Sequence, residues 1–595
     1  MARKRKKKEM PQFEPSHYQK SIYDFVEHGN GNLIVEASAG SGKTSTLLKI
    51  IDLLPSDKKI LFCAFNKDIV KEITKRIDKE KTNVDIRTVH SLGYLMTQRN
   101  INERKLSINE NKYREFIFNK VDELTTINLK DLGFRNKMKY IDNVCKLVDY
   151  ARYNLAITEK DMLSLVEKYE VEIFDDESIV ALKVLDWGKS FLEEVDYTDM
   201  VWLPSILFMK PLGTQYDYIL VDECQDLSTA QRELILKCRK INTRMFMFGD
   251  KDQTIYTFMS SDFYSFEKLK NLPNTVCMPL SISYRCPKNI VDFAKKIVPT
   301  IEHNENNPIE GLVIDNVDIE DVKDGDMVLC RNNAPLMKIY NDFIRVGKKC
   351  KIRGKDIGLN LKRVVKSTHK DELNVSLDKD GVFVRLYDSL FELRDSILMK
   401  SSIDYETVMS SSIIVNNLDM IKALEVLSEG INTSEELIEK ITNMFSDKKN
   451  DGIVLSTIHK AKGLEAENVY IACKSLMPCK SATKDWEKEQ EKNLMYVAYT
   501  RAKSKLGFLV EDGFEYLTKN KNEKLAEIEF KVNKVLNKKP KNIINNKHYI
   551  NEIINNAKKI ELPKIGNSKN ISDTTSNVNL MSGVLNKRRK IKIKN

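Results

Sequence analysis

The sequence predicts an α/β protein with two parallel β-sheet domains in tandem, each interrupted by an inserted subdomain. First, eight short apolar runs each end in small, acidic or hydroxyl residues and lead into helical patterns. Their hydrophobicity is continuous rather than alternating, which is typical of strands that helices bury on both faces. Second, two long stretches without such runs separate them. The eight runs are 32–37, 59–65, 218–221, 245–248, 327–330, 453–456, 469–473 and 506–510.

These patterns divide the chain into five predicted parts. The parts are a first sheet domain (1–97 and 196–278), a mainly helical insertion in it (98–195), a second sheet domain (279–360 and 450–516), a shorter, polar insertion (361–449) and a flexible basic tail with one or two short helices (517–595). The tail is rich in Lys, Asn and Ile and poor in aromatic residues, a composition that disfavours a packed core.

Composition excludes several classes of protein. The chain has 595 residues, of which 42% are hydrophobic and 31% charged, as in globular proteins of several domains. No apolar run reaches the roughly 18 residues of a membrane span, and the basic start lacks a secretory apolar core. We therefore expect a cytoplasmic or nuclear protein. Ten cysteines occur without a CxxC pair and seven histidines without an HExxH motif, so a metal bound by protein ligands alone is not expected.

The net charge of +11 includes two terminal basic runs, 3–8 and 587–594. Such runs attract phosphate backbones, serve as nuclear addresses, bind protein partners or simply solubilise a tail. Charge alone leaves these readings open.

A glycine-rich segment, IVEASAGSGKT at 34–44, has the order strand, small-residue loop and helix start. Backbone N–H groups of such a loop surround a triphosphate, and the helix N-terminus favours its negative charge. Lys43 would reach the β- and γ-phosphates, and the Thr44 hydroxyl would ligate Mg²⁺. The sequence therefore predicts ATP and Mg²⁺ as cofactors, held by Ala39, Gly40, Ser41, Gly42, Lys43, Thr44 and Ser45.

Two further apolar runs end in catalytic candidates. YILVDE ends in Asp222, a candidate Mg²⁺ ligand, and Glu223, which would polarise the attacking water. MFMFGDKDQ places Gln253 where it could sense the γ-phosphate.

Two arginines, Arg285 and Arg501, lie far from the loop in sequence, in segments assigned to the second sheet. An arginine delivered across a domain interface neutralises transition-state charge. Hydrolysis would then depend on closing the two domains, which couples chemistry to motion.

In this order, from about residue 19 to 509, the motifs resemble those of superfamily 1A DNA helicases of the UvrD, Rep and PcrA type. ASAGSGKT, VDECQD, GDKDQTIY, SYRCP, STIHKAKGLE and YVAYTRA carry the resemblance. AFNK, TVHS and DYTDMVWLP are most similar to viral, phage and F-box members. The resemblance implies two RecA-like domains and an ATP-dependent helicase or translocase on single-stranded DNA and duplex junctions. It also implies 3′→5′ movement, a monomer, and a role in replication, repair or recombination.

The same resemblance implies roles for individual residues. Gln19 would read adenine, Tyr284 would stack on the base, Arg285 and Arg501 would hold the γ-phosphate, and Gly463 and Glu465 would lie at the ribose. The implied DNA contacts are Phe65, Asn66, Thr88, His90, Ser91, Tyr256, Phe258, Thr457 and His459. One departure is that Met259 stands where the family has an arginine after the aromatic residue.

Two alternative functions stay open on the sequence: a translocase that strips proteins with little unwinding, and an RNA helicase. A catalytically silent scaffold would have lost one of the catalytic residues. All of them are present: Lys43, Thr44, Asp222, Glu223, Gln253, Arg285 and Arg501.

Overall fold

The computed structural model describes most of residues 14–538. The described range omits 65, 78–80, 102–104, 130, 132, 170, 172, 174–175, 208–214, 256–261, 263, 401–403, 446–451, 481 and 511–520. Both terminal basic runs, and the tail beyond 538, lie outside the described residues.

Strands and helices alternate along the first half of the chain. They are α1 (His17–His28), β1 (Asn32–Ala37), α2 (Lys43–Leu53), β2 (Ile60–Ala64), α3 (Lys67–Arg76), β3 (Val84–Thr88), α4 (Val89–Asn100), β4 (Ser107–Ile108), α5 (Lys112–Leu124), α6 (Gly133–Asn154), α7 (Glu159–Tyr169), α8 (Glu177–Ser190), β5 (Glu194–Val195), α9 (Asp199–Ile206), β6 (Tyr216–Val221), α10 (Thr229–Lys237), β7 (Arg239–Gly249), α11 (Ser265–Lys270) and β8 (Thr275–Leu280).

The second half continues the alternation, with a block of helices between its strands. Its elements are β9 (Ile282–Ser283), α12 (Lys288–Ala294), β10 (Glu302–His303), β11 (Leu312–Val317), β12 (Met327–Cys330), α13 (Asn333–Arg345), β13 (Cys350–Ile352), α14 (Lys355–Ser367), α15 (Val382–Lys400), α16 (Tyr405–Ser410), α17 (Ser412–Leu427), α18 (Ser434–Met444), β14 (Ile453–Thr457), β15 (Ala466–Ala472), α19 (Asp485–Tyr499), β16 (Ala502–Leu509) and α20 (Lys521–Val535).

Two six-stranded sheets organise these elements. The first sheet has the order β3-β2-β6-β7-β1-β8 and the second β11-β16-β15-β12-β14-β13, and all neighbouring strands in both are parallel. Side chains on opposite faces of β1, such as Leu33 and Ile34, belong to separate buried cores, so helices cover both faces. The predicted fold class, two RecA-like parallel-sheet domains in tandem, is confirmed.

All eight predicted apolar runs form strands of the two six-stranded sheets, whereas the other four strands of these sheets, β3, β8, β11 and β13, were not predicted. These four are the edge strands of the two sheets. An edge strand has a partner on one side only, and β8 and β11 leave several side chains exposed. Polar or charged residues interrupt β3, β11 and β13, and Pro279 interrupts β8, so none of the four has the long continuous hydrophobic run by which a fully buried strand is recognised.

The first insertion is a helical layer (α5–α8) with its own hydrophobic core. A buried charge cluster joins it to α9: Asp199 accepts from Lys112 Nζ at 2.7 Å and from Arg152 Nη1 at 2.9 Å. Asp196 accepts from the same guanidinium at 2.7 Å. The ions are paired and hydrogen-bonded, as buried charges must be.

The second insertion is also helical (α14–α18), although its sequence is polar and mixed. Its buried residues, for example Leu418 and Leu424, belong to the same core as Val328 and Leu455 of the second sheet. It therefore packs as a layer on that sheet, without a separate core. The domain division as a whole stays a prediction, but three of its boundaries (97/98, 278/279 and 360/361) fall inside α4, β8 and α14, which are continuous elements.

The region predicted as a flexible tail begins with a packed helix. In α20, Leu525 and Val532 are buried in the core of the second domain. Glu529 accepts from both terminal nitrogens of Arg394 at 2.6 and 2.7 Å. One of the short helices expected in the tail is thus present, but it is packed on the second domain and not flexible, because a short helix gains its stability from tertiary packing that composition does not reveal. In the described part of the chain, no helix is long and apolar enough to cross a membrane.

Candidate nucleotide-binding site between the two sheets

The phosphate-loop segment leaves β1 and enters α2 through two glycines in the left-handed region, Gly40 (φ +73°) and Gly42 (φ +85°). A Cβ on Gly40 would lie 2.6 Å from the Cβ of Arg285, so glycine allows a segment of the second domain to pack on the loop. The Ser41 hydroxyl oxygen is buried and has no hydrogen-bond partner among the described residues. A buried polar atom without a partner, beside the N-terminus of a helix, fits a loop that binds an oxyanion.

Lys43, Thr44 and Ser45 form the first turn of α2, so the sequence-predicted residues of the loop are contiguous in space. Lys43 Nζ lies 3.4 Å from Glu223 Oε1. Burial by itself would lower the pKa of Lys43, but the charges of Glu223, Asp250 and Asp222 raise it. The ammonium group is therefore firmly charged where a phosphate would bind.

Asp222 and Glu223 follow β6 at the same edge of the sheet. Glu223 has φ +53°, a left-handed conformation that costs a non-glycine residue about 1–2 kcal/mol, and such strain is concentrated at functional sites. Burial and the charge of Glu223 raise the pKa of Asp222 to about 7. Burial would also raise the pKa of Glu223, but the charges of Lys43 and Lys462 lower it to about 2. Glu223 is therefore ionised at neutral pH, as an acceptor for a water proton must be.

The site fits Mg²⁺. Burial raises the pKa of Asp250 to about 7, as it does that of Asp222. The positive charge nearby is therefore too small to keep both buried carboxyl groups ionised. Among the described residues, no three His, Cys, Asp or Glu side chains form a metal-binding group. Mg²⁺ prefers one or two protein oxygens together with phosphate and water, which is what Thr44 and Asp222 could offer.

A chain of hydrogen bonds runs from the acidic pair to the second sheet. Gln225 Nε2 donates to Glu223 Oε2 (2.7 Å), and its Oε1 accepts from the Asp250 N–H (3.1 Å). Gln253 Nε2 donates to Asp250 Oδ2 (2.6 Å), and its Oε1 accepts from Arg501 Nη2 (3.2 Å). The predicted sensor and the predicted arginine finger are therefore in direct contact.

Arg501 is 2% exposed, and its hydrogen-bond acceptors in the described part of the chain are all neutral: the Val497 and Leu464 carbonyls, the Thr500 hydroxyl and Gln253. Burial, and then the charge of Arg285, lower the pKa of Arg501 to about 9. It stays charged at neutral pH without a carboxylate partner. A buried cation in this state is costly unless an anion joins it.

Arg285 lies beside the loop but is paired with an anion. Its Nε donates to Glu465 Oε2 at 2.7 Å, and Lys503 Nζ lies 2.6 Å from the other oxygen of the same carboxylate. Glu465, assigned to the ribose, is thus held by two cations. Gly463 adopts φ +83° two residues earlier. Both ribose assignments stay predictions.

Two hydrogen bonds of the loop backbone connect it to the second domain. The Tyr284 N–H donates to the Gly40 carbonyl (2.9 Å), and the Ala39 N–H donates to the Tyr496 hydroxyl (3.0 Å).

Gln19 is fully buried, with both ends of its amide engaged. The Thr46 hydroxyl donates to the Gly42 carbonyl (2.9 Å), so its oxygen must accept from Gln19 Nε2 (3.0 Å). The Ser16 N–H donates to Gln19 Oε1 (3.0 Å). These contacts fix the orientation of the amide, and the adenine-reading role stays a prediction.

The predicted DNA contacts have local structural roles as well. Asn66 caps α3 by accepting from the Asp68 and Ile69 N–H groups, and Thr88 caps α4 by accepting from that of Ser91. Both caps lie at the carboxyl ends of neighbouring strands of the first sheet. Phe65, Tyr256 and Phe258 lie outside the described residues.

Two histidines complete this predicted set. Burial lowers the pKa of His90 and, together with the charges of Arg331 and Lys460, lowers that of His459 well below its usual value. Thr457, two residues before His459, is the buried last residue of β14. Both histidines are thus neutral at physiological pH and would contact DNA through hydrogen bonds rather than charge.

Several residues that lie between the two domains were not predicted from the sequence. Lys462 bonds to Asp226, and Asn493 bonds to the turn that carries Gln253. Lys462 lies inside the motif STIHKAKGLE, and Asn493 lies three residues before YVAYTRA. However, a lysine or an asparagine carries no signal of its own until its partner is known.

The first domain presents the phosphate loop and carboxylates while the second presents Arg285 and Arg501, an arrangement that defines a P-loop protein with tandem RecA-like domains. Comparison with known families narrows this class. The UvrD/REP helicase N-terminal domain model matches residues 19–274, and the UvrD-like helicase C-terminal domain model matches residues 411–512. Together they cover more than half of the chain, which belongs to the UvrD-like helicase family.

Individual relatives agree with this assignment. ATP-dependent DNA helicase Rep of Buchnera aphidicola (subsp. Schizaphis graminum) is 22% identical over 81% of this chain and 91% of its own length. F-box DNA helicase protein 1 of Schizosaccharomyces pombe is 24% identical, over 82% of this chain and 56% of that protein. ATP-dependent DNA helicase PcrA of Bacillus subtilis is 27% identical, over 49% of this chain and 40% of that protein.

Proposed function

We propose that this protein is an ATP-dependent motor that moves 3′→5′ on single-stranded DNA and unwinds duplex at junctions. Lys43 binds the β- and γ-phosphates, Glu223 orients the attacking water, and Arg285 and Arg501 neutralise the charge that develops on the γ-phosphate. Thr44 and Asp222 would hold Mg²⁺, which supplies further charge neutralisation at the phosphates.

The observation that carries the proposal is the state of Arg501. A guanidinium group that is buried, charged and surrounded by neutral acceptors is unfavourable for stability. It becomes favourable when a phosphate arrives, because arginine binds phosphate through charge-assisted hydrogen bonds. Since Arg501 directly precedes β16 of the second domain and its contact Gln253 follows β7 of the first, phosphate binding would draw the two domains together. Hydrolysis would release them, which is the cycle that a motor requires.

The nucleic-acid substrate is proposed from the family and from the layout of the first sheet. Asn66 and Thr88 cap helices that begin at the carboxyl ends of adjacent strands, where parallel sheets bind ligands. Helix N-termini favour phosphate groups. Binding of single-stranded DNA without base preference would come from aromatic side chains stacked on the bases, which contribute about 1–3 kcal/mol per base.

Hydrolysis and unwinding assays test the proposal. We expect single-stranded DNA to stimulate ATP hydrolysis more than RNA does, and duplexes with a 3′ tail to be unwound in preference to those with a 5′ tail. Lys43→Ala is the control that should abolish both activities. Preference for the 5′ tail would contradict the direction, and stimulation by RNA alone would contradict the substrate.

A second assay separates unwinding from protein displacement. The protein is mixed with biotinylated single strands carrying streptavidin, and release of streptavidin is followed beside duplex unwinding. Release without unwinding would show a translocase that strips proteins and would remove the helicase part of the proposal.

A further inference from the structure

Four hydrogen bonds from the second domain converge on one short turn of the first. The turn consists of the 3-10 segment Lys251–Gln253 and its C-cap Thr254; it follows β7 and carries the predicted sensor Gln253. Arg501 contacts the Gln253 side chain, as described above. Lys462 Nζ donates to the Gln253 carbonyl at 2.6 Å, and Asn493 Nδ2 donates to the carbonyls of Lys251 and Thr254, both at 3.2 Å.

Asn493 is oriented by its partners. It lies on α19 and is 3% exposed. Its amide faces two backbone carbonyl oxygens. Because a carbonyl oxygen can only accept hydrogen bonds, the nitrogen of the amide must point at the turn. Because the two carbonyls belong to residues on either side of Gln253, Asn493 fixes the backbone across the sensor.

Lys462 makes a second contact that ties the turn to the acidic motif. Its ammonium group bonds to Asp226 Oδ2, and the side chains of the pair are 8% and 1% exposed. Lys462 follows β14 of the second sheet, and Asp226 follows the catalytic acidic pair of the first. One cation therefore bridges two elements of the first domain from the opposite side of the cleft.

We propose that Lys462 and Asn493 are positioning residues: they hold the Lys251–Thr254 backbone so that Gln253 and Arg501 meet in the geometry that hydrolysis requires. Neither touches a phosphate in this role. This inference rests on the proposed function. It adds to that function how the position of the second domain affects the sensor Gln253. A misplacement of catalytic groups by about 1 Å costs about 10²-fold in rate.

Kinetics of Lys462→Met and Asn493→Leu test the inference. Both variants remove the donors and keep the side-chain volume close to the original. We expect kcat at saturating DNA to fall by about tenfold or more while KM for ATP stays within about twofold, because only the transition state needs the aligned sensor. The affinity for MgADP with aluminium fluoride should fall by the same factor as kcat, and the affinity for MgADP alone should not.

Two further variants separate positioning from charge neutralisation. If Lys462 only neutralises Asp226, then Asp226→Asn combined with Lys462→Met should restore kcat, which would overturn the inference. If Lys462 positions the Gln253 carbonyl, the double variant stays slow. Lys460→Met is the matched control, since Lys460 lies two residues away but pairs with the exposed Asp356 at 2.6 Å. Its kcat should remain within about twofold of the original protein.

The outcomes also distinguish this inference from the proposed function. Hydrolysis of ATP by the unaltered protein, with Lys462→Met and Asn493→Leu equally active, would overturn the inference alone. Absence of DNA-stimulated hydrolysis in the unaltered protein would overturn the proposed function and the inference with it. Asn493→Leu tests the same turn independently if Lys462→Met does not fold.

Discussion

Replacement of Arg501 by methionine should remove hydrolysis while leaving the stability of the protein nearly unchanged. Methionine keeps most of the side-chain volume and removes the charge. If Arg501 acts as a finger, its loss lowers the rate by about 10³–10⁵-fold. This factor corresponds to about 4–7 kcal/mol of transition-state stabilisation, since each factor of ten is about 1.4 kcal/mol.

The expected effect on stability is small because two costs offset each other. Burying a cation without an anion costs several kcal/mol, which the methionine variant avoids. Against this gain, the variant leaves neutral acceptors such as Gln253 Oε1 without a donor, at about 1–3 kcal/mol for each fully buried group. We expect the free energy of unfolding to change by less than about 2 kcal/mol.

Arg394 is the matched control. It is also a buried arginine of the second domain, 1% exposed, but its partners are the carboxylates of Asp395 and Glu529. Arg394→Met removes the cation that both carboxylates contact, which should destabilise the protein by about 3–5 kcal/mol. Since Arg394 lies on α15 and bonds to α20, and not to the phosphate loop or the acidic pair, the kcat of the folded fraction should stay near the original value.

The two variants are compared by thermal unfolding and by single-turnover ATP hydrolysis with saturating DNA. The expected result is opposite in the two assays: Arg501→Met is stable and inactive, and Arg394→Met is unstable and active. An Arg501→Met protein that retained more than about a tenth of the original rate would refute the finger assignment. A large loss of stability in that variant would refute the argument that the guanidinium group lacks an anion.

Three further predictions concern other parts of the molecule. Glu223→Gln should bind ATP within a few-fold of the original affinity but lose about 10²–10⁴-fold in hydrolysis, measured by nucleotide binding and phosphate release; unchanged hydrolysis would contradict its role. On α20, Val532→Asp should lower the melting temperature far more than Phe530→Asp, since the first position is fully buried and the second 71% exposed; equal effects would contradict the packing of this helix. Burial acts to raise the pKa of Asp176, but hydrogen bonds led by the Thr126 N–H lower it below its usual value. This carboxylate should therefore stabilise the protein above about pH 4 and lose that effect as the pH falls through its lowered pKa, so Asp176→Asn should flatten the acid side of a stability–pH curve.

The sequence determined the central strands and the phosphate loop because their physical requirements are local. A strand buried on both faces must be apolar throughout, and a loop around a triphosphate needs glycines, a lysine and a hydroxyl at fixed spacing. The eight central strands and the Gly40–Thr44 segment therefore follow from residues that are adjacent in the chain.

Tertiary structure alone decided the features whose partners are distant in sequence. The edge strands β3, β8, β11 and β13 form because a neighbouring strand pairs with each of them. Their own residues do not indicate a strand. The helix α20 is held by residues more than a hundred positions away, through Arg394 and Glu529. Lys462 and Asn493 have ordinary side chains, and only the approach of the two sheets brings them to the turn of Gln253. A hydrogen bond depends on distance and direction in space, and one sequence alone specifies neither for residues on different domains.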